Sequence, residues 1–408
     1  MLLLAPRSAR ADADRDELRA TVLTFTPATH LFLLFGHTSL WIHDPRLPEE
    51  EKDLVYNFGT FAFGSPEVVP DFFRGKLRYW LSIAPLAWTL STYGSEGRGI
   101  RAQELALSFA EVDALERDLI ARAAPERRFY TYGYVVENCT TRVRDALNDA
   151  TAGALARGIE EAWRSRPPTS YRAQVARVTA DRPAPGLVID AAMGPSMDLP
   201  RTGWDATFLP DHLAEVLPLV SRVDHVGNTV PLISRDYVKQ AASRPVPTGP
   251  SAVRIPMVLL GGALPAALVL WLRARSDRSA PARSALAIVT AALGISAALT
   301  GAFWLLLGAL SPWLRYNLNV LSAPPWLLLL AKYAPGIARG QGLATRRARV
   351  VAGAAGATTL LALALEAFHL TPQRSLPLLT TMLLLWSALV WSFGPVVADA
   401  AAPVARRD

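Results

Sequence analysis

Residues 137–143 read Glu137-Asn138-Cys139-Thr140-Thr141-Arg142-Val143, and Cys139 is the only cysteine among 408 residues. A lone thiol cannot crosslink its own fold, so it stands out as a nucleophile candidate wherever a base can reach it. Asn138 is suited to cap a helix that carries Arg142, Val143, Ala146, Leu147 and Ala150 on the same side as the thiol. Free backbone N–H groups and the dipole at a helix N-terminus favour thiolate over thiol. The plainer reading is a buried cysteine packed as a small hydrophobe.

A base is available upstream in Phe35-Gly36-His37-Thr38-Ser39-Leu40-Trp41-Ile42-His43. On a strand, His37, Ser39, Trp41 and His43 share one face, and Gly36 leaves room for another backbone or a substrate to come close. His37 could instead be a satisfied structural histidine. A zinc site on His37 and His43 is disfavoured, because two strand histidines at that spacing lie too far apart for one tetrahedral ion. Residues 31–43 and 53–63 are rich in β-formers and predict a hairpin over a polar loop at 46–52. With that loop centred near Leu47 or Pro48, the residue opposite His37 falls near Tyr56, Asn57 or Phe58. Asn57 is the better orienter, since its amide oxygen can accept from one imidazole nitrogen and leave the other for the thiol. A one-residue slip would put Tyr56 there. Helical patterns follow at 108–123, with Ser108 three residues before Glu111, and at 140–150, whereas the Pro- and Gly-rich stretch 183–204 reads as irregular. The fold class is α+β, with helices on a small antiparallel sheet.

Hydrophobic residues make up 51% of the chain and cluster strongly. The runs 255–272, 285–310, 350–368 and 376–397 are each long enough to cross a hydrocarbon core of ~30 Å at ~1.5 Å per residue. The run 318–331 is shorter and broken by Pro324-Pro325, so it reads as a bent fifth span. Arg273, Arg275, Arg278 and Arg283, then Lys332, Arg339, Arg346, Arg347 and Arg349, then Arg406-Arg407 fall on one side of that layout. The positive-inside bias places them in the cytoplasm and everything before the first span outside. The expected organisation is a remnant signal peptide and leader at 1–19, with the start misassigned or the sequence trimmed, and an extracytoplasmic domain at 20–242. A proline-rich linker at 243–254, a helical bundle of about five spans at 255–400 and a cytoplasmic tail at 401–408 complete it. The net charge of +7 follows from the basic loops. With no glycine-rich phosphate loop, zinc-finger spacing or aromatic–basic stripe, nucleic acid is not an expected partner.

Histidine on a first strand, a polar partner on the second and Asn-Cys opening a later helix resemble the permuted papain-like superfamily of lecithin-retinol acyltransferase and NlpC-type enzymes. More closely, Phe35-Gly36-His37-Thr38-Ser39-Leu40-Trp41-Ile42, Asp53-Leu54-Val55-Tyr56-Asn57-Phe58-Gly59-Thr60-Phe61, Arg74-Gly75-Lys76-Leu77, Asn138-Cys139-Thr140-Thr141-Arg142-Val143-Arg144-Asp145 and Thr207-Phe208-Leu209-Pro210 resemble the Lnb family of bacterial lipoprotein N-acyltransferases. The likeness covers about residues 23–213 and continues loosely through Asn317-Leu318-Asn319. It implies an enzyme of the bacterial inner membrane whose catalytic domain faces the periplasm. Cys139 would take an acyl chain from a phospholipid, with His37 as base, and pass it to the terminal amine of a lipoprotein, without metal or cofactor. Arg98, Arg142 and Arg78 are candidates for gripping a lipid phosphate, with solvated surface charge as the alternative. Asn317 and Asn319, near Arg315, Glu366 and His369, could serve substrate or helix packing. The aromatics Phe58, Phe61, Phe63, Phe72, Phe73, Tyr79 and Trp80 suit a core better than an acyl groove. A cell-wall peptidase or amidase, a phospholipid acyl hydrolase and a catalytically silent membrane-bound binding protein are the competing classes.

Overall fold

The computed structural model describes residues 18–28, 33–61, 71, 78–224 and 226–394. The leader up to Glu17, the Arg74-Gly75-Lys76-Leu77 motif, Phe63, Phe72, Phe73 and the tail at 401–408 lie outside the described residues. The chain divides into two compact units, one of residues 1–186 and 199–251 and the other of 187–198 and 252–408. The first is thus not the single contiguous domain expected at 20–242.

In the first unit, β1 (Arg19–Phe25), β2 (His37–His43), β3 (Asp53–Thr60) and β4 (Arg78–Pro85) precede helix α1 (Leu86–Ser95), β5 (Ile100–Leu105), helix α2 (Phe109–Ala123) and β6 (Phe129–Thr131). Helices α3 (Cys139–Ala150), α4 (Ala154–Trp163), α5 (Tyr171–Val178), α6 (Pro183–Ala192, of which residues 187–192 fall in the second unit), α7 (Gly203–Ala206) and α8 (Pro210–Val216) follow, then β7 (Ser221–Val223), β8 (Thr229–Pro231) and β9 (Ile233–Gln240). The expected hairpin is present, closed by the Asp44 N–H donating to the Lys52 carbonyl at 2.7 Å. The sheet is larger than expected. It has seven strands in the order β6-β4-β3-β2-β1-β5-β9, with every neighbouring pair antiparallel. The stretch 183–204 is also not irregular: Pro183 opens α6, a position where its missing N–H costs nothing, and a 3₁₀ turn spans Pro195–Asp198.

Alternation along the strands splits the core in two. Leu40, Ile42, Tyr56 and Phe58 face α3, where Val143, Ala146 and Leu147 meet them with at most 1% exposure. Leu23, Phe25, Val55 and Ile100 face α1 on the other side, against Leu86, Leu90 and Tyr93. Full burial of a side chain such as Leu147 contributes about 1.5–3 kcal/mol. Ser108 and Glu111 complete a reciprocal capping box that starts α2 where the sequence places it.

The second unit contains α9 (Arg254–Ser276), α10 (Ala280–Leu310), α11 (Leu328–Ala338), α12 (Gly342–Ala367) and α13 (Leu376–Ser392). Among the described residues, three of these, α9, α10 and α12, are long and apolar enough to cross a membrane, and α13 is a shorter apolar helix. The expected bent span is instead two 3₁₀ turns, Leu318–Leu321 and Pro325–Leu327, leading into α11. Pro324 and Pro325 cannot donate to a continuous helical ladder, which is why the helix starts after them. Small residues set the helix spacing. A Cβ on Gly294 would meet the Leu327 carbonyl oxygen at 2.7 Å, and one on Gly301 would run into the Ala323 carbonyl oxygen. Asn317 and Asn319 both donate to the Ala191 carbonyl, at 2.8 and 2.9 Å, and Asn317 Oδ1 accepts from Gln373 Nε2 at 2.9 Å. Glu366 accepts from the backbone N–H groups of Ser375 and Leu376. Most of these polar groups are therefore engaged in helix packing.

Gly301→Ala is expected to destabilise the second unit by about 1–3 kcal/mol, the usual cost of forcing extra volume into a packed contact. Gly261, whose Cβ would meet nothing within 4 Å, should accept alanine without loss. Thermal melting of detergent-solubilised variants distinguishes them, and equal melting temperatures would refute the close contact at Gly301.

Candidate active site

Helix α3 begins at Cys139 because Asn138 closes a capping box. Its Oδ1 accepts from the Thr141 N–H at 2.9 Å, while the Thr141 hydroxyl oxygen accepts from the Asn138 N–H at 2.9 Å. The Asn138 Nδ2 donates to the carbonyls of Tyr134 at 2.8 Å and Phe208 at 3.0 Å. The Thr207-Phe208-Leu209-Pro210 motif is thereby tied to the residue before the cysteine. Pro210 also lies against Gly36, whose φ is +81°. A Cβ at Gly36 would stand 2.8 Å from the Phe25 carbonyl oxygen and 3.3 Å from Pro210 Cγ. The close approach at Gly36 is thus made by the protein's own chain.

Cys139 is 7% exposed. Thr140 Oγ1 lies 3.8 Å from its sulfur. The hydroxyls of Thr38 and Thr140 meet at 3.1 Å. Strand β2 is therefore fastened to the start of α3 one residue after His37. Across from it, β3 and β4 change register between Asn57 and Thr60, and Gly59 takes φ +91° there. A Cβ on Gly59 would sit 3.5 Å from Cys139 Cβ, 3.6 Å from Tyr132 Cε2 and 3.9 Å from the Tyr130 hydroxyl. These groups enclose one small space.

His37 Nε2 lies 3.4 Å from Asn57 Oδ1, at the long end for a hydrogen bond. If Nε2 carries the proton for that amide oxygen, Nδ1 is the unprotonated nitrogen. The ring stacks on Tyr93 at 5.7 Å, Tyr93 stacks on Phe25 at 4.0 Å, and the Arg98 guanidinium lies 4.6 Å from the Tyr93 ring centre. No hydrogen bond joins His37 to Cys139 among the described residues. They are linked through Thr38, His37's neighbour in the chain.

Burial and, secondly, the charge of Arg98 lower the His37 pKa to about 3, outweighing the bond to Asn57. Burial also raises the Cys139 thiol above its ordinary value, despite the N–H groups of Thr38 and Thr140 and the charge of Arg98. The resting pair is thus neutral thiol and neutral imidazole. This corrects the thiolate expected from the helix terminus, because desolvation of the charged form exceeds what the helix end returns.

The other candidates are placed as follows. Tyr56 pairs with Leu40 and is 1% exposed on the α3 face, so it is not beside His37. Asn57, one residue on, takes the His37 face diagonally rather than directly opposite. Arg98 is 1% exposed and donates from Nε to the Thr26 carbonyl at 2.7 Å, so it is neither a solvated charge nor a surface grip. Arg142 Nε lies 2.7 Å from Glu137 Oε2, with its guanidinium 4.7 Å from the Tyr130 ring centre, and Arg78 is exposed over Phe129. Arg142 borders an open cavity of about 330 Å³ together with Arg122, Arg127, Arg128 and Tyr130. Asn317 and Asn319 belong to the second unit, in the packing network around Ala191. Thr38, Tyr93 and Tyr130 were not singled out from sequence. The run Tyr130-Thr131-Tyr132-Gly133-Tyr134 just before the cysteine motif was the available signal. The Tyr130 hydroxyl is buried without a hydrogen-bond partner among the described residues.

Fold and site define a membrane-associated protein whose mixed α/β domain brings a capped cysteine and a histidine to the same strand end. Residues 5–177 match the family model described as the Lnb N-terminal periplasmic domain, which supports an Lnb-type assignment for this part of the chain. Neither a curated protein nor a solved structure matches it significantly.

Gly59→Ala is expected to cost about 1–3 kcal/mol, because alanine is strained at that φ, and its methyl would lie in contact with Cys139. Thermal melting together with the rate of thiol alkylation at Cys139 tests this, and a variant unchanged in both would contradict the enclosed space. The sign for pH follows from His37. Below about 6.5 the unfolded chain binds a proton that the folded chain refuses until about 3, so stability falls as pH falls through that window. Melting temperatures at pH 7, 5 and 4 should drop less for His37→Gln than for the wild type. A parallel drop would show His37 to be protonated in the fold.

Proposed function

We propose that the protein is a lipoprotein N-acyltransferase, with the first unit a permuted papain-like domain on the periplasmic side of the bacterial inner membrane and the second a bundle of about five spans. The observation that carries this reading is the fastening of β2 to the start of α3, where the Thr38 and Thr140 hydroxyls meet beside His37 and Cys139. Asn57 lies against the imidazole, and the whole sits in an Lnb-type domain in a chain with apolar helices. In the first half-reaction the thiol adds to the ester carbonyl of a phospholipid acyl chain, and its proton passes to His37 Nδ1. The C–O bond then breaks, the departing lysophospholipid takes that proton, and a thioester on Cys139 remains. In the second, the α-amine of a lipid-modified N-terminal cysteine attacks the thioester, His37 accepts the proton, and the C–S bond breaks to release the amide and restore the thiol.

A neutral resting pair suits this sequence, since the proton moves only when a carbonyl is present to take up negative charge. The Tyr130 hydroxyl, unpartnered at rest beside the same space, is the donor placed to meet that oxyanion. The arginine-lined cavity next to Tyr130 offers guanidinium forks to a donor headgroup. The amine's ordinary pKa of ~7.7–8.0 leaves a useful neutral fraction, and exclusion of water protects the thioester.

Incubation with phospholipid alone is expected to leave a hydroxylamine-sensitive fatty-acyl adduct on Cys139, discharged on adding a diacylated lipopeptide with a free terminal amine. Cys139→Ala should not load. His37→Ala should load about 10²–10⁴-fold more slowly, the usual range for a lost general base, and Asn57→Ala should lose less. Discharge to water alone would make the protein an acyl hydrolase. Cys139-dependent cleavage of cell-wall peptides without loading would make it a peptidase.

A further inference from the structure

Within the second unit, a cavity of about 790 Å³ opens where α9 ends, α10 and α12 begin and α13 closes. Arg273, Arg283, Arg346 and Arg349 border it, against one carboxylate, Asp277. Asp277 is taken by Arg273 at 2.6 Å. Arg283, Arg346 and Arg349 have no ion pair among the described residues. Arg283 donates from Nη1 to the Ser276 carbonyl at 3.0 Å, but its Nε is buried without an acceptor. Ser392 is 2% exposed, borders the same cavity, and its hydroxyl is likewise buried without a partner. Among the described residues, two polar groups are thus desolvated there with no protein atom to satisfy them, an unfavourable arrangement unless something else fills the role.

We propose that this cavity binds the headgroup of an acidic phospholipid. A phosphate diester accepts from guanidinium forks in the geometry that Arg283, Arg346 and Arg349 can supply, and compensates their charge. The inner wall is apolar, with Leu286, Ile337 and Phe393. A free phosphate would have no use for that wall, but the start of an acyl chain would. A zwitterionic lipid would bring an ammonium into a site whose one carboxylate among the described residues is already paired. The basic ends of apolar helices are also where acidic headgroups concentrate. The site owes nothing to Cys139 and is independent of the acyl-transfer reading.

The test uses the full chain in detergent, exposed separately to phosphatidylglycerol, to phosphatidylcholine and to inorganic phosphate, with native mass spectrometry and thermal melting as readouts. Phosphatidylglycerol should be retained and should raise the melting temperature. The Arg346→Gln/Arg349→Gln double variant, altered only at exposed positions, should retain it at least tenfold more weakly, and Arg283→Gln should act in the same direction. Arg278→Gln removes a nearby charge that does not border the cavity and should behave as wild type. Cys139→Ala should retain the lipid fully, so failure of the acyl-transfer reading would leave this result standing. Equal retention of phosphatidylcholine, equal stabilisation by inorganic phosphate, or undiminished retention by the double variant would each overturn the proposal.

Discussion

The side-chain amide of Asn138 is the constraint on which the candidate site depends. Its oxygen stops the Thr141 N–H from going unpaired at the start of α3, and its two amide hydrogens hold the carbonyls of Tyr134 and Phe208. One group thus fixes three stretches of chain: the tyrosine-rich approach, the cysteine helix and the segment ending at Pro210. Pro210 in turn lies against Gly36, next to His37. Buried amides with every hydrogen bond satisfied rigidify their surroundings, and aspartate could not donate to either carbonyl.

The electrostatic character of the site follows from packing more than from any single charge. His37 is enclosed by Phe25, Tyr93 and the buried Arg98, and the sulfur by Thr38, Thr140 and the bulge at Gly59. Each group is held in its uncharged form by loss of water. A low-dielectric enclosure of this kind magnifies any charge that forms during a reaction, while keeping the resting thiol unreactive towards passing electrophiles.

Much of this was legible in the residues and some was not, for identifiable reasons. The β2–β3 hairpin and the capped helices α2 and α3 follow from alternation and from Ser108, Glu111, Asn138 and Thr141, all short-range signals. The partner of His37 could be narrowed only to Asn57 or Tyr56, because hairpin register depends on where a nine-residue turn bends. Strand β9 was invisible: it pairs with β5 across 128 to 140 residues, and most of its side chains are exposed, so it carries little apolar alternation. Pro183 misled in the opposite direction, since proline ends a helix when internal but serves well at its first position. The protonation state was misjudged because a helix terminus can be read from sequence, whereas the burial that opposes it cannot.

Residues 187–198 are grouped with the second unit although they lie between two parts of the first. The Ala191 carbonyl accepts from Asn317 and Asn319, which come 126 and 128 positions later in the chain. At a synthesis rate of about 5–20 residues per second, that carbonyl waits several seconds or more on the ribosome for its partners. The second part of the first unit, beginning at residue 199, emerges during that wait. The residues of the cysteine-bearing unit are therefore all synthesised before the partners of its internal excursion exist.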